Sequence, residues 1–328
     1  MPLRTPKFWY ESSGSLSNML YPLSVVYLIM HRLYQFLAKK TAPYESSVPV
    51  ICLGNLVMGG SGKTPTALAL YDLVIKKKIA EKPVFLTRGY GGDCVNGTLV
   101  DVNKHSYTDV GDEALLLARK GITVASISRP QGAKVAEKQG ADLIIMDDGF
   151  QNPSIHKDIK LLVIDTEKPF GNGQIFPAGP LREPIGAAMK RCDGIISIGG
   201  SLKTKLLEYP AFIYPLEPDH DKNRQYIAFA GLGRPEKFKK TLERLNYDVI
   251  GWHPFADHHP YKLEEIEAIM AEAKSKKAMV ITTEKDLMRI PKEFHETILT
   301  LPIELRFRNE DIIVTFIQKI VNLHKNRS

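Results

Sequence analysis

The chain has 328 residues, more than the ~250–300 that a single hydrophobic core usually serves, so two domains are expected. A hydrophobic fraction of 44% and a charged fraction of 25% exclude a disordered or low-complexity chain. The formal charge of +7 favours an anionic partner, whether nucleic acid, acidic lipid or a phosphorylated substrate, without choosing among them.

Cys52, Cys94 and Cys192 are odd in number, scattered and without metal-like spacing, which points to reduced thiols and not to a disulfide framework. No cleavable signal peptide is expected, because a polar 11–15 segment follows the first charges and no small-residue cleavage site ends the apolar run.

Residues 16–30 carry no formal charge, are rich in aromatics and are flanked by Arg4, Lys7, Arg32, Lys39 and Lys40. A bilayer span needs about 20 apolar residues, so the expected element is a helix lying in a membrane interface. The competing reading is a helix packed on the protein's own sheet.

The apolar run 48–53 suits a central parallel strand, and Gly59-Gly60-Ser61-Gly62-Lys63-Thr64-Pro65 follows it as a glycine-rich turn opening a helix. Backbone N–H groups in such a turn converge on an anion at a helix N-terminus. Lys63 would reach the β- and γ-phosphates, Thr64 would hold Mg²⁺, and Pro65 suits a first helical turn. Val57 stands where the general P-loop pattern has its first glycine.

A helix is expected over 66–78, then a strand at 84–87 that delivers Arg88-Gly89-Tyr90-Gly91-Gly92 to the sheet edge where the cradle opens. Arg88 there could meet phosphate or could mark a surface turn. Gly111-Asp112-Glu113 precedes a short helix, so Asp112 is either its cap or a catalytic carboxylate. After a strand at 122–125 and a helix around 133–138, the strand 142–146 ends in Asp147-Asp148-Gly149. An apolar strand closing on acids downstream of a P-loop has the form of a Walker B strand, whose Asp serves Mg²⁺ beside the P-loop Thr.

The strand 161–165 exits into a long glycine- and proline-rich loop in which Arg182 is the obvious anion ligand. Strands at 194–198 and 211–216 complete the first sheet, and a polar 216–224 segment reads as a linker. A second α/β unit is expected beyond it, with strands at 226–230, 249–252 and 278–283 and helices at 235–245, 263–274 and 311–323. The domains are therefore placed at 1–40, 41–217 and 218–328.

Together these residues resemble the tetraacyldisaccharide 4'-kinase family over nearly the whole chain. The motifs are Gly54-Asn55 through the 59–65 cradle, Arg88-Gly89-Tyr90-Gly91, Gly111-Asp112-Glu113, Asp147-Asp148-Gly149-Phe150-Gln151, Pro180-Leu181-Arg182-Glu183-Pro184, Asp257-His258-His259 and Thr283-Glu284-Lys285-Asp286. Val57 is also what the family resembles at that position.

The resemblance implies a P-loop NTPase-like three-layer α/β/α domain, a second smaller α/β domain and an N-terminal membrane-associating helix. It implies transfer of the ATP γ-phosphate to the 4'-hydroxyl of an acylated disaccharide 1-phosphate in lipid A biosynthesis. It further implies a magnesium cofactor and a peripheral or monotopic place on the cytoplasmic face of a Gram-negative inner membrane. No nucleic-acid or obligate protein partner is implied. By position, Asp112 resembles the catalytic base and His258 its dyad partner, while Thr64, Asp147 and Asp148 fall at the Mg²⁺ site. A P-loop switch or metallochaperone is the alternative, but a guanine-reading Asn-Lys-x-Asp and a Cys-x-Cys pair are both missing from the sequence.

Overall fold

The computed structural model describes residues 6–11, 14–38, 41–93, 96–216, 218 and 220–326. Arg4, Lys39, Lys40 and Cys94, together with Glu217 and Asp219 of the expected linker, lie outside them.

A 3-10 turn over Lys7–Tyr10 leads into α1 (Ser15–Ala38), β1 (Val50–Gly54), α2 (Lys63–Lys76), β2 (Pro83–Thr87) and β3 (Asn96–Leu99). Next come α3 (Tyr107–Val110), α4 (Asp112–Ala118), β4 (Thr123–Ser126), α5 (Arg129–Lys138), β5 (Leu143–Asp147) and β6 (Ile159–Asp165). Then follow α6 (Ile185–Met189), β7 (Gly194–Ile198) and β8 (Glu208–Pro215).

These strands form a sheet in the order β8-β7-β6-β1-β5-β2-β4-β3. Its centre is parallel and shielded on both sides, which is why β1, β2, β5 and β7 are buried at every residue and read as unbroken apolar runs. Alternation sorts β1 between two cores. Ile51 and Leu53 pack with Leu70 and Val74 of α2, while Val50 and Cys52 face Ala133 and Ala136 of α5. Each fully buried aliphatic side chain contributes about 1.5–3 kcal/mol, so β1, buried at every residue, is strongly held.

The chain then builds β9 (Gln225–Ala230), α7 (Glu236–Arg244), β10 (Asp248–Pro254), α8 (Leu263–Ser275), β11 (Met279–Thr283), α9 (Glu284–Leu287) and β12 (Ile298–Leu301). These strands make a second, wholly parallel sheet in the order β10-β9-β11-β12. It is covered on one side by Ile266 and Ile269 of α8 and on the other by Phe238 and Leu242 of α7.

The expected second unit at 218–328 does not close on itself. After β12 the chain returns as β13 (Ile303–Phe307), which pairs antiparallel with β8 and makes the large sheet nine-stranded. It ends in α10 (Glu310–Lys325), whose Ile313, Ile317 and Val321 join the core beneath α2. The physical reason is burial of apolar surface: these α10 side chains pack in one core with Leu70, Leu73 and Val74 of α2. The units are thus tied by two crossings of the chain, at 216–224 and at 301–303.

Among the described residues no helix is long and apolar enough to cross a membrane. The helix α1 is inside out. Ser17 and Ser24 are its buried residues, and their hydroxyls donate to the carbonyls of Ala178 and Ile175, each at 2.8 Å. Most of its large apolar side chains face away from the protein, with Met19 73% and Met30 66% exposed and Leu23, Val26 and Ile29 also exposed. The alternative of a helix packed on its own sheet through an apolar face is not what the structure shows.

Candidate active site

The Lys63 loop leaves the C-terminal end of β1, and Asp147 closes β5, the parallel neighbour in which Leu53 is paired with Asp147. Crevices beyond the carboxyl ends of parallel strands are where α/β sheets bind ligands. Here the crevice is a cleft of about 1480 Å³, walled by the Gly59–Pro65 loop, Arg88, Glu113, Arg129, Asp148, Arg182, His258 and Lys285.

In the cradle, Gly62 sits at φ +85 before α2, a left-handed conformation that favours glycine, and a Cβ there would lie 2.4 Å from Ile198 Cδ1. The buried Ser61 hydroxyl has no hydrogen-bond partner among the described residues. An orphaned donor beneath a helix N-terminus suits an anion.

Thr64 Oγ1 donates to Asp147 Oδ2 at 3.0 Å, and Asp147 Oδ1, fully buried, has no partner. Burial, then the charge of Glu113, pushes the Asp147 carboxyl up to about 7 against the pull of Lys63. A hydroxyl and an unsatisfied carboxylate oxygen at this spot fit a divalent cation. No group of three or more His, Cys, Asp or Glu among the described residues could enclose one, so such an ion would share its coordination with phosphate and water.

Asp148 plays a different part. It lies 3.8 Å from Lys63 Nζ and accepts from Arg182 Nη1 at 3.0 Å. Enclosure works against its charge, yet Lys63 and then Arg182 outweigh it and hold the carboxyl well below the usual range. Arg182 is thus already engaged by an acid, whereas Arg88 is exposed on the cleft wall. Sequence reasoning missed Arg129: 3% exposed, it donates to the Asp148 carbonyl at 3.0 Å and braces the acidic turn. Its helix-start position gave it no motif.

Asp112 opens α4 but is not its cap, since Gly111 holds that place and Asp112 Oδ1 accepts from the Glu113 N–H at 2.8 Å. Its carboxylate is 2% exposed and meets His258 Nδ1 at 3.0 Å from both oxygens. Arg289 Nε stands 3.2 Å from Oδ2 on the other side. Burial opposes the charge, and Lys285, His258 and Arg289 together overcome it, leaving Asp112 well below the usual carboxylate range.

His258 lines the cleft, and Asp112 lies behind it. The imidazole is thus the member of the pair that a substrate meets first. His258 holds φ +54, a backbone strain of roughly 1–3 kcal/mol that its surroundings must offset. The His259 ring turns away from the pair to Glu265 at 2.8 Å.

Two elements bring the pair together. The apolar side of α4, with Ala114 and Leu115, is packed into the core of the second unit beside Tyr261 and Ile266. The carboxylate on α4 therefore faces the loop after β10 that carries His258. The Lys285 side chain at the start of α9 reaches the same spot, 3.2 Å from His258 Nε2 and 3.1 Å from Glu113 Oε1. Its motif was noticed in the sequence, but periodicity alone gives no sign that it meets His258.

Comparison with known proteins bears on the family and the fold. The family model described as Tetraacyldisaccharide-1-P 4'-kinase matches residues 16–322. A protein named Tetraacyldisaccharide 4'-kinase from Paramagnetospirillum magneticum is 40% identical, covering 97% of this chain and 99% of its own. A namesake from Bradyrhizobium sp. is 41% identical over 88% of this chain and 85% of its own. The crystal structure of LpxK from Aquifex aeolicus in complex with ATP superposes with a TM-score of 0.77 at 28% identity, covering 93% of this chain and 99% of that one. A family model matched over residues 16–322 and relatives about 40% identical over most of their length place this chain in the tetraacyldisaccharide 4'-kinase family.

Proposed function

We infer that the protein transfers the γ-phosphate of ATP to the 4'-hydroxyl of a tetraacylated glucosamine disaccharide 1-phosphate, forming lipid IVA. The observation that carries this is one cleft lined at once by Lys63 and Thr64, by His258, and by Tyr27, His31 and Tyr34 on the inner side of α1. Nucleotide, proton acceptor and the lipid-facing helix converge there.

The triphosphate lies in the 59–65 loop, with Lys63 and the Ser61 hydroxyl on its oxygens. Thr64 and Asp147 would hold Mg²⁺, which would supply charge neutralisation to the transferring phosphoryl group. Asp148 keeps Lys63 and Arg182 in place, and with Arg88 these cations face the charge that spreads over the transferring group. The 4'-oxygen forms its bond to the γ-phosphorus as the bond to the β-γ bridging oxygen breaks and ADP departs.

The hydroxyl proton passes to the Asp112–His258 pair. The ring accepts it at Nε2, and the buried carboxylate stabilises the imidazolium through Nδ1–H, the division of labour seen wherever an acid orients a histidine. Asp112 alone, sealed behind the ring, is thus better described as half of the base than as the base itself.

The substrate's acyl chains stay in the bilayer because extraction costs about 0.8 kcal/mol per CH₂. The exposed apolar face of α1 gives the protein a matching place at the membrane surface, and its need for ATP puts that surface on the cytoplasmic side of the inner membrane.

The test is ATP consumption by the purified protein in detergent micelles, with and without tetraacylated disaccharide 1-phosphate. Lipid-dependent ADP release with phosphate on the 4'-position is the expected result. Hydrolysis indifferent to the lipid would overturn it in favour of a P-loop switch.

A further inference from the structure

Charged groups from three parts of the chain surround the ring of His258. From α4 come Asp112, at 3.0 Å from Nδ1, and Glu113. From its own loop comes Asp257, 3.8 Å from Nε2 and so beyond hydrogen-bond reach. From α9 and the turn after it come Lys285, 3.2 Å from Nε2, and Arg289, on the far side of Asp112. The Tyr90 ring packs over the imidazole at 5.0 Å.

Three carboxylates, Asp112, Glu113 and Asp257, therefore face two cations, Lys285 and Arg289. Asp112 faces Nδ1 and the Lys285 ammonium faces Nε2, the nitrogen that needs a free lone pair to receive the hydroxyl proton. An ionised carboxylate only accepts a hydrogen bond and an ammonium only donates. Between Asp112 and Lys285 the ring must then carry its hydrogen on Nδ1 and offer a lone pair at Nε2.

We propose that Lys285 is a positioning residue of the phosphoryl transfer: anchored on Glu113, it keeps the His258 imidazole uncharged and in the Nδ1–H form. The inference rests on the reading of Asp112 and His258 as the proton-accepting pair. Lys285 suits the task because its surroundings keep it charged: burial alone would discharge it, and Glu113, Asp112 and Asp257 more than offset that, raising it above the ordinary lysine value. When the substrate hydroxyl enters, it takes the ammonium's place at Nε2. The proton then moves from oxygen to nitrogen as the oxygen bonds to phosphorus.

The experiment uses full-length enzyme in micelles with Lys285→Met, which keeps the stem and removes the charge. Imidazole ¹⁵N chemical shifts, assigned by loss of the signal in His258→Gln, report the ring's protonation in the ligand-free protein. The expected variant has a doubly protonated His258 at neutral pH and a kcat lowered about tenfold or more, with the ATP KM nearly unchanged. Its kcat recovers as pH rises, so the acid limb of the profile moves up by about a pH unit or more.

Lys285→Met combined with Glu113→Gln removes one charge of each sign. Its acid limb should return towards wild type, and it carries the same test if the single variant folds poorly. A singly protonated ring and a wild-type pH profile in either variant would overturn the proposal. Failure of the underlying pair reading would look different: His258→Gln would itself keep wild-type turnover.

Discussion

At the scale of single residues, the two adjacent acids of Asp147-Asp148 do opposite things because their neighbours differ. Asp148 is tethered by Lys63 and Arg182 and stays ionised, whereas Asp147 is buried beside Thr64 with one oxygen unsatisfied. A group whose folded value is raised, as that of Asp147 is to about 7, contributes its stability below its unfolded value near 4 and loses it as pH climbs through 7. Asp147→Asn should therefore raise the melting temperature of ligand-free protein at pH 8, by the equivalent of on the order of a few kcal/mol, and leave it nearly unchanged at pH 4. Thermal scans across that window check it, and the same variant should lose kinase activity. Equal stability of variant and wild type at pH 8 would mean that the carboxylate is not strained without its ligand.

Also at this scale, Lys63→Ala should abolish phosphoryl transfer, since Lys63 is the one cation that the 59–65 loop itself carries. Asp112→Asn keeps the shape but removes the charge behind the ring. A kcat lowered by about 10²–10⁴ with ATP binding intact is expected, read by turnover and nucleotide titration in parallel. A pure rise in ATP KM would instead make Asp112 a structural part of α4.

At the scale of elements, α1 inverts the usual rule for a surface helix. Its serines reach the backbone of the 170–181 loop, Trp9 Nε1 donates to the Pro177 carbonyl at 3.0 Å just before it, and Gln35 donates to the Gln151 carbonyl at 2.7 Å at its far end. Polar anchors inward and apolar side chains outward are the arrangement that the proposed docking at a membrane surface requires. Replacing Val26, Ile29 and Met30 by lysine should leave the fold and micellar kinase activity largely intact while moving the protein from the membrane pellet to the supernatant. Ser24→Leu should do the reverse: the side chain cannot meet the Ile175 carbonyl, and about 1–3 kcal/mol of docking is lost with membrane binding retained. Flotation on liposomes and thermal melts distinguish the two.

At the scale of the whole molecule, the units meet on more than the two chain crossings. Gly233 of the second unit lies so close to the cradle that a Cβ on it would stand 2.8 Å from the Gly60 nitrogen. Beside it Arg234 and Lys237 grip Asp165 and Glu167 at the end of β6, with Lys237 Nζ 2.8 Å from Glu167. These pairs are partly exposed and worth about 1 kcal/mol or less each, enough to bias an opening equilibrium but not to lock it. Asp165→Asn with Glu167→Gln should populate a more open form, seen as a larger radius of gyration by solution scattering without nucleotide. The same shift should appear in wild type at high salt, where the pairs are screened. An unchanged radius in both would show that apolar packing of α4 alone holds the units together.

The local pattern of the chain was enough to reveal the cradle, the acid-ended strand and most of the alternating α/β order. Those features are written in contiguous residues: an apolar run, then glycines, then a lysine, each shaping the backbone within a few residues of itself. The sequence also showed an apolar N-terminal helix of sub-bilayer length, though not that its serines would be the docked side. What it could not reveal is which distant groups share a contact. That β13 and α10 return to the first sheet, that α4 is clasped by the second unit, and that Lys285 and Arg289 converge on the Asp112–His258 pair follow from long-range burial. Those meetings were decided only when two separate apolar surfaces closed on each other and carried their charged residues with them.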